Sequence, residues 1–472
     1  MTAFLAYINL PVQYLEYLIT KLNEMGIEVK GIASHRSGRQ RTLDKYPQLR
    51  YYSMASFNDF TTWEAPFDEG LFRQVIGPDL EEVLPISDRY PSFGNGSIES
   101  MNRVFWEFSL ANKALSEVRP DLLLFFKEPE SVLEYMLYKL AKHLGIKVLM
   151  TRATTFTHSR GVADNYELPL LSKDLTITPG TIDIGDKTGL HPQSENILKK
   201  VSAMESSYMP NYMKAQNIDF SFLSFLNYYS QFHNIKLLIA DGLRQKQGHL
   251  YRFRLYNKYQ KLVSEVIPEK NSLKIYFPLH YQPEQTTMPL GASFVNQTKS
   301  IKLLSDKLPD GAVIYVKEHI STFAKALKPN INFRPYHFYK TLASIPKVRL
   351  VSVHFPSQKL QSICDFTVSI TGTACWESVL RGKPAVIFGY TSWSTMPGIF
   401  NYREISSDFF VQLQNSPTID RTEVKRYLEQ LEGITHQPKD PEVSISGHSA
   451  ERYLLYLDTL LLGVKKFRSQ KS

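Results

Sequence analysis

The segment from residue 367 to residue 389 constrains the fold more than any other part of this sequence. Thr367 to Ile370 is apolar and β-prone, Thr371-Gly372-Thr373 is a turn of small residues, and a short helical stretch then leads to a second β-prone run at Ala385 to Phe388. Strand, turn, helix and strand in this order form the repeating unit of α/β folds. The segment therefore predicts a parallel sheet covered by helices.

The same segment predicts a ligand site. Gly372 allows the backbone to approach a ligand closely, and the helix that follows points its N-terminal amides at the same place, which suits an anionic group. Glu377 lies about one helical turn further on, within reach of a sugar hydroxyl. The alternative is an ordinary strand-to-helix crossover with no ligand.

Length and composition favour two globular domains in a reducing compartment. The chain has 472 residues, of which 43% are hydrophobic, and this length exceeds what one hydrophobic core usually supports. Its two cysteines, Cys364 and Cys375, cannot build a disulfide framework, so we expect a cytoplasmic protein. The apolar run from Phe4 to Leu10 has no basic leader and is expected to be a first strand. No apolar stretch in the sequence has the length that a bilayer span requires.

The formal charge of +9 suits nucleic acid, an anionic membrane face or a phosphorylated ligand, and does not choose between them. No recognition helix, zinc finger or aromatic motif for binding single-stranded nucleic acid accompanies the basic residues, so we expect no nucleic-acid partner. The basic tail Lys465 to Lys471 follows an apolar helix and predicts loose attachment to the anionic inner face of the cytoplasmic membrane. A solvated, frayed terminus is the alternative.

Alternating β-like and helical runs predict two doubly wound, Rossmann-like domains that face a central cleft. The first domain is expected over residues 1–265 and takes the acceptor side, with an insertion near 171–199 that lacks clear periodicity. The second is expected over residues 266–415 and binds the nucleotide. C-terminal helices and the basic tail, residues 416–472, are expected to brace the first domain.

Three polar clusters follow predicted strands of the second domain, where ligands of open α/β sheets collect. His280 and Glu284 follow the first strand and supply a proton carrier and a carboxylate, unless they merely bond a Pro-stiffened loop. Lys317 and His319 follow the next strand and suit phosphate oxygens, unless they belong to a surface salt-bridged turn. The third cluster consists of Ser369, Thr371, Gly372 and Thr373, together with Glu377.

Several other chemistries lack their motifs. There is no His-Glu-x-x-His helix and no Asp-x-Asp pair of the kind that binds magnesium, so a site without metal or other cofactor is preferred. The phosphate-binding loop Gly-x-x-x-x-Gly-Lys-Ser/Thr of ATPases is absent, as is the Gly-x-Ser-x-Gly turn of serine hydrolases.

These motifs resemble, in order, those of bacterial capsule-polysaccharide biosynthesis proteins, a group that includes the β-Kdo transferases. The resemblance spans about Ser272 to Phe400. It is carried by three runs: Tyr276-Phe277-Pro278-Leu279-His280-Tyr281-Gln282-Pro283-Glu284, Tyr315-Val316-Lys317-Glu318-His319, and Thr371-Gly372-Thr373-Ala374-Cys375-Trp376-Glu377 continued to Gly389.

The resemblance implies a GT-B architecture in which the C-terminal domain binds the nucleotide of a CMP-activated sugar. By this similarity His319 takes the place of the histidine of the family's His-Pro motif, and Glu377 that of a ribose contact. Ser369, Thr371 and Thr373 take the place of phosphate-binding hydroxyls. The sequence departs from the family at Ile320, where the motif usually has proline, and in its His-Tyr-Gln-Pro-Glu loop, which replaces an Asp-rich one.

The function expected from residues and resemblance together is metal-independent glycosyl transfer in surface-polysaccharide biosynthesis. The sugar, of the Kdo type, would pass from a CMP donor to a glycan or a lipid-linked acceptor, with Glu284, His280 and His319 as catalytic residues. Lys317, Ser369, Thr371, Gly372, Thr373 and Glu377 would bind the nucleotide. Two alternatives stay open: a UDP-sugar-processing enzyme such as a non-hydrolysing epimerase, and a non-catalytic component of glycan assembly.

Overall fold

The structure is a computed structural model of the chain. It describes residues 1–6, 11–34, 39–53, 65–88, 97–153, 160–163, 189–190, 192–203, 243–266, 272–282, 287–323, 334–406, 408–414, 419–433 and 450–469.

Two six-stranded sheets form the framework of the described residues. The strands of the first sheet are β1 (Thr2–Ala6), β2 (Glu28–Ser34), β3 (Arg50–Ser53), β4 (Leu122–Phe125), β5 (Lys147–Ala153) and β6 (Arg160–Ala163). The strands of the second are β7 (Lys274–Pro278), β8 (Val313–Lys317), β9 (Val348–Val351), β10 (Phe366–Ser369), β11 (Ala385–Ile387) and β12 (Ile399–Asn401). All neighbouring strands are parallel except β5 and β6.

Each sheet has the doubly wound strand order. The first runs β3-β2-β1-β4-β5-β6, and the second runs β12-β11-β10-β7-β8-β9. Counted from its own first strand, each sheet therefore has the Rossmann order 3-2-1-4-5-6, with the order reversing between strands one and four. The predicted fold class, α/β with two Rossmann-like domains, is confirmed.

Helices cover the sheets. Those of the first half are α1 (Val12–Glu24), α2 (Arg39–Lys45), α3 (Glu69–Val75), α4 (Leu80–Asp88), α5 (Ser97–Val118), α6 (Val132–His143) and α7 (Pro192–Ser202). Those of the second half are α8 (Leu243–Leu262), α9 (Gln297–Lys307), α10 (Phe338–Ser344), α11 (Ser357–Ile363), α12 (Thr373–Leu380), α13 (Phe409–Gln414), α14 (Arg421–Gly433) and α15 (Ala450–Ser469).

Local sequence signals explain where the predicted helices begin and end. Ser131 caps α6, since its side chain accepts from the amide of Glu134 while the Glu134 carboxylate accepts from the Ser131 amide. Asn296 caps α9, since its side chain accepts from the Lys299 amide at 3.2 Å. Gly26 and Gly145 follow α1 and α6 with φ near +68° and +69°, a conformation that glycine adopts without strain.

Apolar side chains lie on both faces of each sheet. In the first domain one cluster packs α3 to α6 against the sheet, and a second packs α1 and α15 against its other face. In the second domain α8, α9, α10 and α13 cover one face, while α7, α11, α12 and α14 cover the other. Strands that are buried on both sides favour continuous apolar runs, which β4 (Leu-Leu-Leu-Phe) provides. The strand β10 is equally buried but includes Thr367 and Ser369.

Two helices that precede the predicted domain boundary at 265–266 pack against the second sheet. Val201 of α7 is buried with Trp376 and Val379 of α12, and its carbonyl accepts from the Arg381 guanidinium. Residues of α8 lie in the cluster on the opposite face. Most of the predicted insertion, 171–188, falls outside the described residues.

The last helix, α15, contacts β5, β6 and α1 of the first domain. Four apolar side chains on one side of it are buried there: Leu457, Leu460, Leu461 and Val464. Among the described residues no helix is both long and apolar enough to cross a bilayer. The end of the predicted basic tail, residues 470–472, lies outside them.

A short segment after β7 joins the two domains. Met288, Ala292 and Val295 belong to the second domain in sequence, yet they are buried in the apolar cluster of α3 to α6. Nearby, Lys299 of α9 forms an ion pair with Glu81 of α4. We call residues 287–295 the linker segment because it contacts both cores.

Candidate functional site at the carboxyl ends of the second sheet

The three predicted polar clusters meet at one edge of the second sheet. They follow β7, β8 and β10, which are adjacent and parallel in the order β10-β7-β8. The first and fourth strands of the domain, β7 and β10, flank the point where the strand order reverses, and ligands of doubly wound sheets bind there. The topology thus places this edge where a ligand is expected.

His280 holds the turn after β10. Its Nε2 lies 2.9 Å from Ser369 Oγ and accepts from the Thr371 amide at 3.3 Å. Ser369 Oγ in turn accepts from the Gly372 amide at 3.2 Å. Because Nε2 accepts the amide proton, the neutral ring carries its own proton on Nδ1. His280 and Ser369 are both buried, so this nitrogen of His280 positions the turn.

The main chain of His280 is held as tightly as its ring. Its amide donates to Gln297 Oε1 at 2.7 Å, and its carbonyl accepts from Arg334 Nη2 at 2.7 Å. Gln297 Nε2 also donates to that carbonyl at 3.2 Å. Arg334 and Gln297 were not identified from the sequence as part of the site.

The turn opens onto solvent at its C-terminal end. Thr371 is buried and packs beside Gly389, where a Cβ atom would lie 2.7 Å from Thr371 Cγ2. Thr373, the first residue of α12, is exposed. The amides of Thr373 and Ala374 have no acceptor among the described residues, and Gly372 caps α12 without a side chain. These amides can therefore bind an oxygen anion.

Lys317 ends β8 with a partly buried ammonium. Its Nζ donates to Ser357 Oγ at 2.9 Å, and Tyr276 also donates to that hydroxyl, at 3.3 Å. Burial lowers the pKa of Lys317 to about 8. No carboxylate of the described residues pairs with it. An ammonium held in this way is stabilised by any anion that reaches it.

Glu318, between the two predicted phosphate ligands, is a buried structural residue and not part of a surface turn. Its carboxylate accepts from Arg334 Nε at 2.7 Å and from the Tyr339 hydroxyl at 2.6 Å. Burial alone would raise the pKa of Glu318, but the Arg334 charge and these hydrogen bonds outweigh it and hold the pKa below its ordinary value. Since Arg334 also holds the His280 carbonyl, this pair ties the loop after β8 to the loop after β7.

His319 lies half-buried beside this pair. Its Nδ1 accepts from the Ser321 amide at 3.3 Å, which leaves the proton of the neutral ring on Nε2. Its ring centroid lies 6.3 Å from that of Tyr281. Ile320 begins the one-turn helix Ile320–Phe323.

The Glu377 carboxylate lies in the protein interior, where it pairs with Arg381. Its Oε2 lies 3.3 Å from Arg381 Nη1, and both side chains are almost fully buried. Arg381 also contacts Gln361 Oε1 and donates to the Val201 carbonyl at 3.1 Å. The structure therefore places the predicted ribose contact in an ion pair that joins α7, α11 and α12.

Glu284, the predicted catalytic carboxylate, lies outside the described residues, as does Pro283. Both ends of its loop are described: Gln282 Nε2 donates to Thr287 Oγ1 at 2.9 Å, and both residues are buried. Gln282 Oε1 is buried, and no described residue is its hydrogen-bond partner. A buried oxygen of this kind is costly unless a further donor reaches it.

Within the part of the chain that the structure describes, no group of three or more His, Cys, Asp or Glu residues could hold a metal ion. Apart from the Glu377 carboxylate, which pairs with Arg381, the predicted site residues that the structure describes offer hydroxyls, amides, imidazoles and one lysine. This chemistry suits the oxygens of a phosphate or a sugar.

Comparison with known proteins gives likenesses of fold only. No protein-family model matches the sequence, and no curated protein matches it. The β-Kdo 2,7 transferase KpsC of Thermosulfurimonas dismutans is 11% identical, with 97% of this chain and 99% of that chain covered and a TM-score of 0.30. UDP-GlcNAc 2-epimerase of Neisseria meningitidis, solved with UDP-GlcNAc, is 14% identical, with 99% and 100% covered and a TM-score of 0.22.

The calicheamicin glycosyltransferase CalG4 is 11% identical, with 99% of this chain and 97% of that chain covered and a TM-score of 0.23. All three TM-scores are low, so the fold assignment depends on the strand orders and not on these likenesses. The strand orders define an α/β protein with two Rossmann-like domains, the elements of a GT-B architecture.

Proposed function

We propose that this protein is a glycosyltransferase that uses a nucleotide-activated sugar. The observation that carries the proposal is the placement of groups able to bind an anion at the carboxyl ends of β8 and β10. There α12 begins with the amides of Thr373 and Ala374, which have no acceptor among the described residues, and β8 ends with Lys317, which has no carboxylate partner among them. One strand, β7, lies between β8 and β10, so their ends stand roughly 10 Å apart.

A nucleotide sugar fits such a site chemically. The leaving phosphate would lie at the start of α12, where amides, the Thr373 hydroxyl and the helix dipole favour negative charge. His319 would complete the cradle and protonate or stabilise the departing phosphate. Thr371 and Ser369, buried and bonded to the His280 network, would support the turn, and Glu377 would bind the ribose once it leaves Arg381.

In the transfer step, an acceptor hydroxyl forms a bond to the anomeric carbon while the bond from that carbon to the phosphate oxygen breaks. The electron pair leaves with the phosphate. We assign Glu284 to the anomeric carbon, either as the base that takes the hydroxyl proton or as a carboxylate that attacks first. His280 would be its proton partner through Nδ1, because Nε2 is engaged by Ser369 and Thr371.

The finer proposal is a CMP-linked Kdo-type acid as donor, with a surface glycan or lipid-linked acceptor. Its support is the motif resemblance and the chemistry of the donor: a CMP sugar carries one phosphate, which amides, hydroxyls and one cation can neutralise without a metal. We further propose that the protein works at the inner face of the cytoplasmic membrane, where such acceptors are extended.

Calorimetry with CMP, UDP and GDP tests the donor. We expect CMP to bind most tightly, in the absence of divalent metal. A clear preference for UDP would replace the proposal with a UDP-sugar-processing enzyme such as a non-hydrolysing epimerase, which interconverts sugar nucleotides without an acceptor. Failure to bind any of the three would indicate a non-catalytic component of glycan assembly.

Glu284→Gln tests the catalytic assignment. A group used mainly in the transition state lowers turnover without weakening ground-state binding. We therefore expect normal nucleotide affinity and a rate lower by about 100-fold or more. Thr373→Ala is the matched comparison, and should chiefly raise the Kd for the nucleotide. Near-normal turnover in Glu284→Gln would move the search to the loop after β4, where Glu128 and Glu130 lie.

A further inference from the structure

Two long stretches of this chain contain no acidic residue. One runs between Asp241 and Glu265, the other between Glu318 and Asp365, and both contain several Lys and Arg residues. The sequence separates them by more than fifty residues, so neither stretch alone indicates a surface.

The structure packs these stretches against each other at the β9 edge of the second sheet. The Tyr259 hydroxyl of α8 donates to the Val351 carbonyl, and Val263 forms an isolated bridge with Leu350. The Tyr251 hydroxyl donates to the Arg334 carbonyl at 2.5 Å. Two acid-free stretches thus become one surface.

Four cations of this surface lack a carboxylate partner among the described residues. Arg254, Lys258 and Lys261 are spaced i, i+4 and i+7, which puts them on one face of α8. Lys340 is exposed on α10, and Lys258 Nζ lies 2.6 Å from the ring centroid of Tyr336. We call Arg254, Lys258, Lys261, Tyr336 and Lys340 the basic face.

The basic face is connected to the candidate site through Arg334. Tyr336 follows Arg334 by two residues, and Arg334 Nη2 lies 2.7 Å from the His280 carbonyl. Because Arg334 contacts both the His280 carbonyl and the Glu318 carboxylate, the turn that presents Tyr336 is linked to the loops after β7 and β8.

We propose that the basic face binds an acidic glycan, a polymer that carries carboxylates or phosphates. Cations that have no carboxylate partner among the described residues repel one another until a polyanion approaches, and Tyr336, which is 48% exposed, adds an aromatic side chain against which a sugar can pack. An anionic membrane is less well matched, because Tyr336 is the one exposed large hydrophobic side chain among the described residues of α8, α10 and the turn before α10.

This inference rests on the proposed function for one point only, that the bound glycan is the acceptor. It deepens that function by naming the acceptor's chemical class and the domain that holds it. Binding of the polymer itself requires neither donor nor turnover.

The test measures binding of polysialic acid to the full chain, with neutral dextran of equal length as a control polymer. The variant is Arg254→Gln/Lys258→Gln/Lys340→Gln. The matched control, Lys30→Gln/Arg73→Gln/Lys302→Gln, removes the same charge from exposed residues that already pair with Glu28, Glu69 and Asp306. CMP affinity of each variant is measured in parallel.

We expect the basic-face variant to lose about tenfold in polysialic acid affinity, since each exposed ion pair contributes a factor of about two to five. The control variant should lose less than about threefold, a loss attributable to net charge. Affinity of the original chain should fall with salt, and dextran should not compete. CMP affinity should be unchanged in both variants.

Equal losses in the two triple variants would overturn the proposal, as would dextran binding of similar strength. A variant that keeps polysialic acid binding but no longer sediments with phosphatidylglycerol vesicles, or no longer binds single-stranded RNA, would assign the face to a membrane or to RNA instead. The remaining outcome is that the original chain and both variants all fail to bind any nucleotide while polysialic acid binding behaves as expected. That result would reject the proposed function and still support the basic face as a glycan-binding surface.

Discussion

Lys317 is a positive charge in surroundings that disfavour it. The side chain is partly buried, a serine hydroxyl is its hydrogen-bond partner, and burial lowers its pKa to about 8. In the unfolded chain the same amine has its ordinary value of 10.5. At pH 7 Lys317 is therefore still protonated in the folded protein, but it binds its proton less tightly than in the unfolded chain. A bound anion would stabilise this charge.

Nucleotide affinity should consequently depend on pH through Lys317. Below about pH 8 the ammonium is present and affinity is constant, whereas above it the amine must be reprotonated and the Kd rises by up to about tenfold per pH unit. Calorimetry between pH 6.5 and 9.5 measures this. Lys317→Met should bind the nucleotide more weakly at pH 7, and its Kd should no longer rise above pH 8 in this way. Substitution of the exposed Lys302, Lys302→Met, should change neither the affinity at pH 7 nor its pH dependence.

The stability of the protein without ligand should also depend on pH through Lys317, and the direction of this dependence follows from the lowered pKa. Between about pH 8 and 10.5 the unfolded chain binds more protons at this lysine, so its contribution to the free energy of unfolding rises with pH in that window. Below it, the cost of the buried ammonium is fully present. Lys317→Met should therefore be at least as stable as the original chain at pH 7; a large loss of stability would show that the ammonium is a structural hydrogen-bond donor.

At the scale of one element, α12 and its turn depend on Gly372. A Cβ atom there would lie 2.6 Å from Ser369 Oγ and 3.4 Å from His280 Cε1, the two groups that hold the turn. A substituted side chain must push Ser369 away from His280 Nε2. Glycine is required here because a side chain would not fit, and not because of the backbone conformation, since φ of Gly372 is −73°.

Gly372→Ala should thus move the turn and weaken nucleotide binding. Overpacking of this kind costs about 1–3 kcal/mol, so we expect the Kd to rise about tenfold or more. Gly77→Ala is the control, since a Cβ atom at that position meets nothing within 4 Å. Unchanged affinity in Gly372→Ala would mean that the start of α12 does not touch the nucleotide.

At the scale of the whole molecule, the linker segment connects the site to the first domain. Met288 and Ala292 are buried in the core of α3 to α6, while Gly291 lies so close to the turn that a Cβ atom would stand 2.9 Å from Ile370 Cγ2. The Tyr390 amide also donates to the Leu290 carbonyl at 3.0 Å. A displacement of either domain therefore reaches the turn through a few residues.

Met288→Ala should loosen both domains together. Truncating a buried methionine lowers the free energy of unfolding by about 2–5 kcal/mol. The side chain of Met288 packs in the core of the first domain, whereas its backbone belongs to the second domain in sequence. Hydrogen exchange should accelerate in α4 and α5 and also around Thr371. The matched deletion Leu308→Ala lies in the core of the second sheet and should accelerate exchange in that sheet alone. Unchanged exchange in α4 and α5 of Met288→Ala would contradict this coupling.

Much of the framework follows from local sequence. The β-prone run of β10, the small-residue turn and the short helix after it specify their own conformations within about fifteen residues, as do the Ser131 cap and the glycines that end α1 and α6. Backbone preferences and hydrogen bonds between near neighbours decide such elements, and these can be recognised without knowing the rest of the fold. The alternation of such elements predicts both doubly wound sheets.

The partners of the site residues were decided by tertiary structure. His280 meets a serine 89 residues away, and Glu318 pairs with Arg334 inside the protein where the sequence allowed an exposed turn. Arg334 carries no local signal of this role, because an ion pair between separate loops depends on how strands are ordered in the sheet. The same holds for α7, which precedes the second domain in sequence yet packs against it.

The sequence by itself thus determined the strand, turn and helix that form the start of α12, and the residue types able to bind a phosphate. Only the tertiary structure decided which of them face solvent: it exposes Thr373, buries Thr371 and turns Glu377 toward Arg381. It also joined two acid-free stretches into one basic face. The physical reason is that exposure and charge pairing depend on contacts between distant segments, whereas turns and caps depend on neighbours in the chain.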